Sequence, residues 1–368
     1  MTRRRLARAA VALSLTAVVA GGSAAEARTF KVGEFKLSNS RIDTLRTDWA
    51  NQVQSRYPKG SWAPLKFNLG NRDLRLMGLP SKRVLLSHRY RTPTAVYPNG
   101  KTVKLGKTAA SPGLITYAGA GFFGIRPGAW ILLMNGGSIG WCSAAHVYGT
   151  PGAYKISTAG HCGKVGDTAT VIGALGNKTV AGAPVPVLID IGKFTSSTGD
   201  AGIGKDWALI SVDAAYQSLV TPTMAFWGGP IGMYRATGEV VNVDTTSGSV
   251  GVTPNPTLVQ QIVHYGHGAG VGAGGTPRSG TAITWRANYF TFFGAITPGD
   301  SGSGSNTLTG DAVGANRQAA GINTHIYVDG SMKTGVGLMA GTRATLVGGT
   351  LANGQILPYP APTPVPLP

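Results

Sequence analysis

Only two cysteines, Cys142 and Cys162, occur in the 368 residues. They form no C-x-x-C pair, so a dithiol redox centre of that type is excluded. No apolar run approaches the ~20 residues that a membrane-spanning helix needs. Internal repeats are absent, and so are runs of helical periodicity, except Asn39 to Gln54 ("NSRIDTLRTDWANQVQ"), whose Asn start and apolar spacing suit an amphipathic helix. Acidic residues are scarce: 15 Asp and Glu stand against 33 Lys and Arg, a formal charge of +18. That balance suggests a nucleic-acid binder until it is divided along the chain. Residues 1–120 hold 21 of the basic and 5 of the acidic residues, and the remainder is close to neutral. The basic third contains stretches such as "LPSKRVLLSHRYRT", in which Tyr90 is the only aromatic, and it has no glycine-rich loop. It therefore makes a poor nucleic-acid module, and nucleic acid is not expected as a partner. A solvated pro-segment, or an arm that touches an anionic cell-surface polymer, fits the charge.

What is present begins with an export signal. Arg3, Arg4, Arg5 and Arg8 precede an apolar run from Ala9 to Ala20 and an Ala25-Glu26-Ala27 cleavage pattern. Residues 1–27 read as a signal peptide, and the protein as secreted with no membrane span. In that compartment a lone pair of cysteines is most simply a disulfide. Glycine supplies 55 residues, roughly twice its share in an average globular protein. It is interspersed with short apolar or alternating runs: Ala129 to Met134, Val185 to Phe194, Asp206 to Val212, Thr257 to Tyr265 and Ala282 to Phe293. Strand-like runs separated by recurrent turn signals predict an all-β protein. The end, "LPYPAPTPVPLP", reads as a stiff extended tail.

Three stretches carry chemistry: "STAGHCG" with His161, "KDWALI" with Asp206 and "TPGDSGSG" with Ser301. Each is weak alone, since G-D-S-G is also an ordinary turn and a histidine beside a cysteine is often only packing. Together, in this order and with gaps of 45 and 95 residues, they resemble the chymotrypsin-like serine proteases, in particular the bacterial secreted type. Cys142 in "GWCSAAHV" completes the likeness.

The resemblance implies two six-stranded antiparallel β-barrels with the active site between them. It implies His161, Asp206 and Ser301 as catalytic residues, Gly299 and Ser301 as the oxyanion hole, and a Cys142–Cys162 disulfide beside the histidine. It also implies a polypeptide substrate, a monomer, and no cofactor or metal. Ala295, Thr324 and His325 would border the substrate pocket, with Thr324 beside Asp206. Ala295 stands six before the serine where trypsin-type enzymes keep an aspartate, so Lys and Arg are disfavoured in that pocket. His264 and His267 form an H-x-x-H without a third ligand and read as incidental. No Ile-Val-Gly-Gly activation site occurs, so Asp300 needs an internal partner, for which Arg235 is the candidate. The expected organisation is a basic segment over 28–112, possibly a propeptide cut between Lys101 and Ala120. A first barrel follows over 113–222, then a second over 223–350 and a tail over 351–368. The function implied is a serine endopeptidase working through an acyl-enzyme. The competing readings are a non-catalytic surface- or cell-wall-binding protein on the same fold, and an esterase on the same scaffold.

Overall fold

The computed structural model describes residues 39–68, 94–96, 102–104, 114–115, 125–135, 138–180, 183–224, 226–234, 242–243, 250–251, 261–266, 276–295, 299–308, 317–329, 332 and 335–355. The signal peptide, the proline-rich end from Leu357, Arg235 and His267 lie outside these, as does most of the stretch in which the propeptide cut is expected. The elements in chain order are α1 (Asn39–Arg56), β1 (Trp62–Pro64), β2 (Phe67–Asn68), β3 (Thr94–Val96), β4 (Thr102–Lys104), β5 (Leu114–Ile115), β6 (Trp130–Asn135), β7 (Ser138–Ser143), β8 (Val147–Tyr148), β9 (Lys155–Thr158), β10 (Thr168–Val180), β11 (Ala183–Ser197), β12 (Ala208–Val212), β13 (Asn242–Val243), β14 (Val250–Gly251), β15 (Gln261–Gly266), β16 (Thr276–Trp285), β17 (Tyr289–Ala295), β18 (Gly304–Leu308), β19 (Arg317–Tyr327) and β20 (Val336–Arg343).

Among the described residues the protein is all-β apart from α1 and short 3-10 turns. Strands β19, β18, β15, β16, β17 and β20 pair in that order, and β20 pairs back to β19, which closes a six-stranded barrel. In the other half, β7, β6, β10, β11, β12, β9 and β8 form one curled antiparallel sheet. Closure removes the exposed edges that an open sheet would present. The first half packs Ile131, Cys142, Ile156, Val171, Ile191, Phe194 and Ile210 into one buried cluster. In the closed barrel Phe290 and Phe292 are buried on β17, while Phe293, the residue after them, is exposed, since neighbouring strand residues face opposite sides of the sheet.

Strand runs expected from the sequence recur with adjusted ends, and one is corrected. Ala282 to Phe293 is a hairpin of β16 and β17 rather than a single strand, because Arg286-Ala287-Asn288 turns the chain between them. An Asn in a turn tolerates conformations that a strand does not. The helix α1 extends to Arg56, two residues past the sequence-based end. Its Trp49, Ala50 and Val53 are buried, and their spacing of one and three places them on one helical face.

The two residues after β1 carry the chain from one half of the molecule to the other. β1 lies antiparallel on β19, pairing Trp62 with Tyr327 and Pro64 with His325. β2 lies antiparallel on β7, pairing Phe67 with Trp141. Among the described residues no helix is long and apolar enough to cross a membrane.

Candidate active site

His161 sits in a 3-10 turn, Gly160–Cys162, directly after β9. Asp206 lies just ahead of β12, which pairs with β9 in register, so the two ladders bring the imidazole and the carboxylate together. The His161 backbone N–H donates to Asp206 Oδ1 at 3.0 Å, and Nδ1–H donates to Oδ2 at 2.5 Å. The Cys142–Cys162 disulfide ties β7 to this turn, with a Cα–Cα distance of 6.3 Å.

Ser301 comes from the other half of the molecule. Its hydroxyl donates to His161 Nε2. The turn that carries it is fixed from both sides. The Ser143 N–H donates to the Ser301 carbonyl at 2.7 Å, and the Gly302 N–H donates to the Asn323 carbonyl at 2.8 Å. Ser143 Oγ donates to the Gly299 carbonyl at 2.9 Å. Gly299 and Gly302 have φ of +92° and +85°, a region that L side chains avoid. A Cβ on Gly302 would also overlap Thr158 Oγ1 and the Ser143 carbonyl. The structure thus brings His161, Asp206 and Ser301 into one hydrogen-bonded line, all three buried.

Electrostatics favour that line. Burial alone would raise the Asp206 carboxyl, but the His161 charge and hydrogen bonds, with His325 adding to them, hold it below the usual carboxylate range. His325 is pushed down by its own burial and by the His161 charge, against the pull of Asp206 and Asp200. Its Nε2 lies 3.4 Å from Asp200 and its Nδ1 4.0 Å from Asp206.

The other expected residues fall as follows. Thr324 turns its hydroxyl to the Ala340 carbonyl at 3.3 Å and meets His325 Nδ1 at 2.9 Å, and that Nδ1 lies 4.0 Å from Asp206 Oδ2. The half-buried Ala295 ends β17, and its carbonyl accepts a 2.9 Å bond from His264 Nε2. His264 is therefore a structural neighbour of Ala295. Burial, with Arg278 nearby, lowers it to about 3. His146 is buried with Nε2 at 3.0 Å from Asn306 Oδ1. It couples the turn before β8 to β18, and burial lowers it to about 4.

The residue that sequence reasoning missed is Arg278. It forms a buried ion pair with Asp300 through Nη1 and Oδ2, the part for which Arg235 had been the candidate. A signal was available: Arg278 interrupts a strand-like stretch, "TPRSGTAITW", where a buried charge demands an acidic partner. A cavity of about 530 Å³ opens beside His161, lined by Trp49, Val53 and Pro64 from the N-terminal segment, by Leu133 of β6 and by Asp200 of the loop after β11.

No family model matches the chain, and no curated protein matches it. Solved structures are similar, three of them as follows. Protease A of Thermobifida fusca is 16% identical, over 62% of this chain and 99% of that one, with a TM-score of 0.34. The thermostable serine protease AL20, from an extremophilic microorganism, is 16% identical over 58% of this chain and 89% of its own, with a TM-score of 0.36. The Nocardiopsis protease is 18% identical over 60% and 93%, with a TM-score of 0.31. The chain's own pairings, a closed six-stranded barrel facing a curled antiparallel sheet, give it the two-barrel chymotrypsin-like fold.

Proposed function

We infer that this chain is a secreted serine endopeptidase. The observation that carries the reading is the hydrogen-bonded line from Asp206 through His161 to Ser301, contributed by both halves of the fold. A serine hydroxyl is a weak nucleophile at neutral pH. His161 Nε2 is placed to take its proton as Oγ attacks a peptide carbonyl, and to return that proton to the departing amine. Asp206 accepts from Nδ1, which keeps Nε2 free to act as base, and its charge offsets the imidazolium that forms. The Gly299 and Ser301 amides, on a turn that only glycine can shape at Gly299, would bind the oxyanion. Losing one such donor typically costs ~10²- to 10³-fold in rate. Attack, collapse to an acyl-enzyme on Ser301 Oγ and hydrolysis by water complete the cycle, with no group required beyond this chain's own.

Secretion is supported by the arginine-led apolar run at the amino terminus. It is supported as well by a disulfide whose formation needs an oxidising compartment. The test is covalent labelling. A fluorophosphonate probe is expected to modify Ser301 in the folded protein, and Ser301→Ala is expected to abolish labelling with the circular dichroism spectrum unchanged. A folded wild-type chain that takes no label would support a binding protein on a protease fold instead.

A further inference from the structure

Residues 60–68 run through the cleft between the two halves, and several of their backbone contacts are ones that a peptide under attack would need. On the acyl side, the Gly60 N–H donates to the Val328 carbonyl and the Val328 N–H donates to the Ser61 carbonyl, at 2.9 and 2.8 Å. β1 then continues antiparallel on β19, and the Leu65 N–H donates to the Thr324 carbonyl at 2.9 Å. The next acceptor is the Leu65 carbonyl, which takes the Gly299 N–H at 3.3 Å. That amide is the donor assigned above to the oxyanion. Beyond it, Trp49 Nε1–H donates to the Lys66 carbonyl at 3.2 Å, and β2 pairs Phe67 with Trp141 and Asn68 with Gly140 on β7. The strand changes partner, from the closed barrel to the curled sheet, over Leu65 and Lys66, beside the turn whose Gly299 amide, two residues before Ser301, holds the Leu65 carbonyl. Leu65 is fully buried, and with the strand in place so is Ser301.

We propose that this segment is the enzyme's own first substrate, held in cis with the Leu65–Lys66 peptide bond presented to Ser301. The inference rests on the endopeptidase reading and specifies its substrate class: extended peptides with a mid-sized apolar side chain on the acyl side of the cut. Strand addition supplies sequence-independent affinity through the main chain, and the side chain buried at the junction supplies selectivity. Leu65 itself, fully buried at the junction, is such a side chain. Tethering makes the encounter unimolecular, so the cut is independent of chain concentration. In the reaction Ser301 Oγ bonds the Leu65 carbonyl carbon and the C–N bond to Lys66 breaks. The serine proton passes through His161 to the Lys66 nitrogen. Water then releases the Leu65 carboxylate and restores the hydroxyl proton. Until that cut the strand covers the cleft against other peptides.

The experiment follows the full-length chain over time by intact mass and amino-terminal sequencing, with fluorophosphonate labelling in parallel. The expected result is a fragment beginning at Lys66, formed at a first-order rate unchanged on dilution and lost in Ser301→Ala. In Leu65→Asp, which places a charge in the buried position, the cut at this bond is expected to disappear and labelling of Ser301 to become faster than in the uncut wild type. Wild-type chain that labels at Ser301 but never yields the Lys66 terminus overturns this inference alone. Chain that neither labels nor cuts overturns the endopeptidase reading and the inference together. A cut whose rate rises in proportion to concentration overturns the placement in cis.

Discussion

Replacing Arg278 by Met tests whether the ion pair to Asp300 holds the nucleophile turn. Arg278 stands on β16, opposite His264 in the β15 register, and both it and Asp300 are buried. The guanidinium compensates a carboxylate that immediately precedes Ser301 and follows Gly299. Met keeps much of the side-chain volume and removes the charge. Removing one partner of a buried pair typically costs ~3–5 kcal/mol, because the other charge stays in a low-dielectric site. At ~2–4 °C per kcal/mol for a domain of 150–250 residues, the expected fall in melting temperature is about 6–20 °C. Catalysis should fall further than stability accounts for. A displaced Asp300 moves the Gly299 amide, and one oxyanion donor lost costs ~10²- to 10³-fold in kcat. Urea unfolding and the fluorophosphonate labelling rate measure the two effects, and the double variant Arg278→Met with Asp300→Asn should recover much of the stability but not the labelling. A single variant within 1 kcal/mol of wild type, by the ~1 kcal/mol expected of an exposed pair, would refute the reasoning.

Replacing both Cys142 and Cys162 by Ala should lower stability by ~3 kcal/mol, the chain-entropy value for a loop of this size, since the bridge spans 20 residues; a urea midpoint that does not move would contradict it. Acid should also weaken the fold. His146 and His264 fall from 6.5 to about 4 and about 3 when buried, so the folded state excludes protons that the unfolded chain binds. Their contribution is complete above pH 6.5 and drains away as pH falls towards 4, on the order of 3 kcal/mol for His146 alone. Urea titrations at stepped pH should show that decline, with a shallower slope in His146→Gln. A constant midpoint from pH 7 to 4.5 would show that burial is not what suppresses their protonation.

Much of the fold was legible because strands and turns advertise themselves locally. "AWILLM" and "DWALISV" are short, apolar and bounded by turn residues, and they became β6 and β12 with shifts of one or two residues. Legibility stopped where a turn was made of ordinary residues. Arg286-Ala287-Asn288 lacks glycine and proline, so the run from Ala282 to Phe293 read as a single strand. The three residues of the hydrogen-bonded line were legible for a different reason: each sits in a short motif of small neighbours, and those neighbours are small because backbone must approach backbone. Gly302 beside Thr158 and Ser143 is such a case.

What escaped the sequence depends on pairing between distant segments. Arg278 and Asp300 are 22 positions apart and meet only because β15, β16 and β18 are neighbours in the closed barrel. The strand-like setting of Arg278 calls for an acidic partner, but nothing local says that the partner is Asp300. The same holds for "SWAPLKFN": its residues look like a loop after a helix, and only the register against β19 and β7 sets Leu65 on Gly299. Proline at 64 sharpens the point. It cannot donate to a ladder, yet the strand loses nothing there, because the donor that matters in the cleft belongs to the next residue, Leu65. A proline one position later would remove the bond to Thr324 and with it the contact that aligns the carbonyl on Gly299. Placement of that single imide therefore separates a segment that can lie in the cleft as substrate from one that cannot.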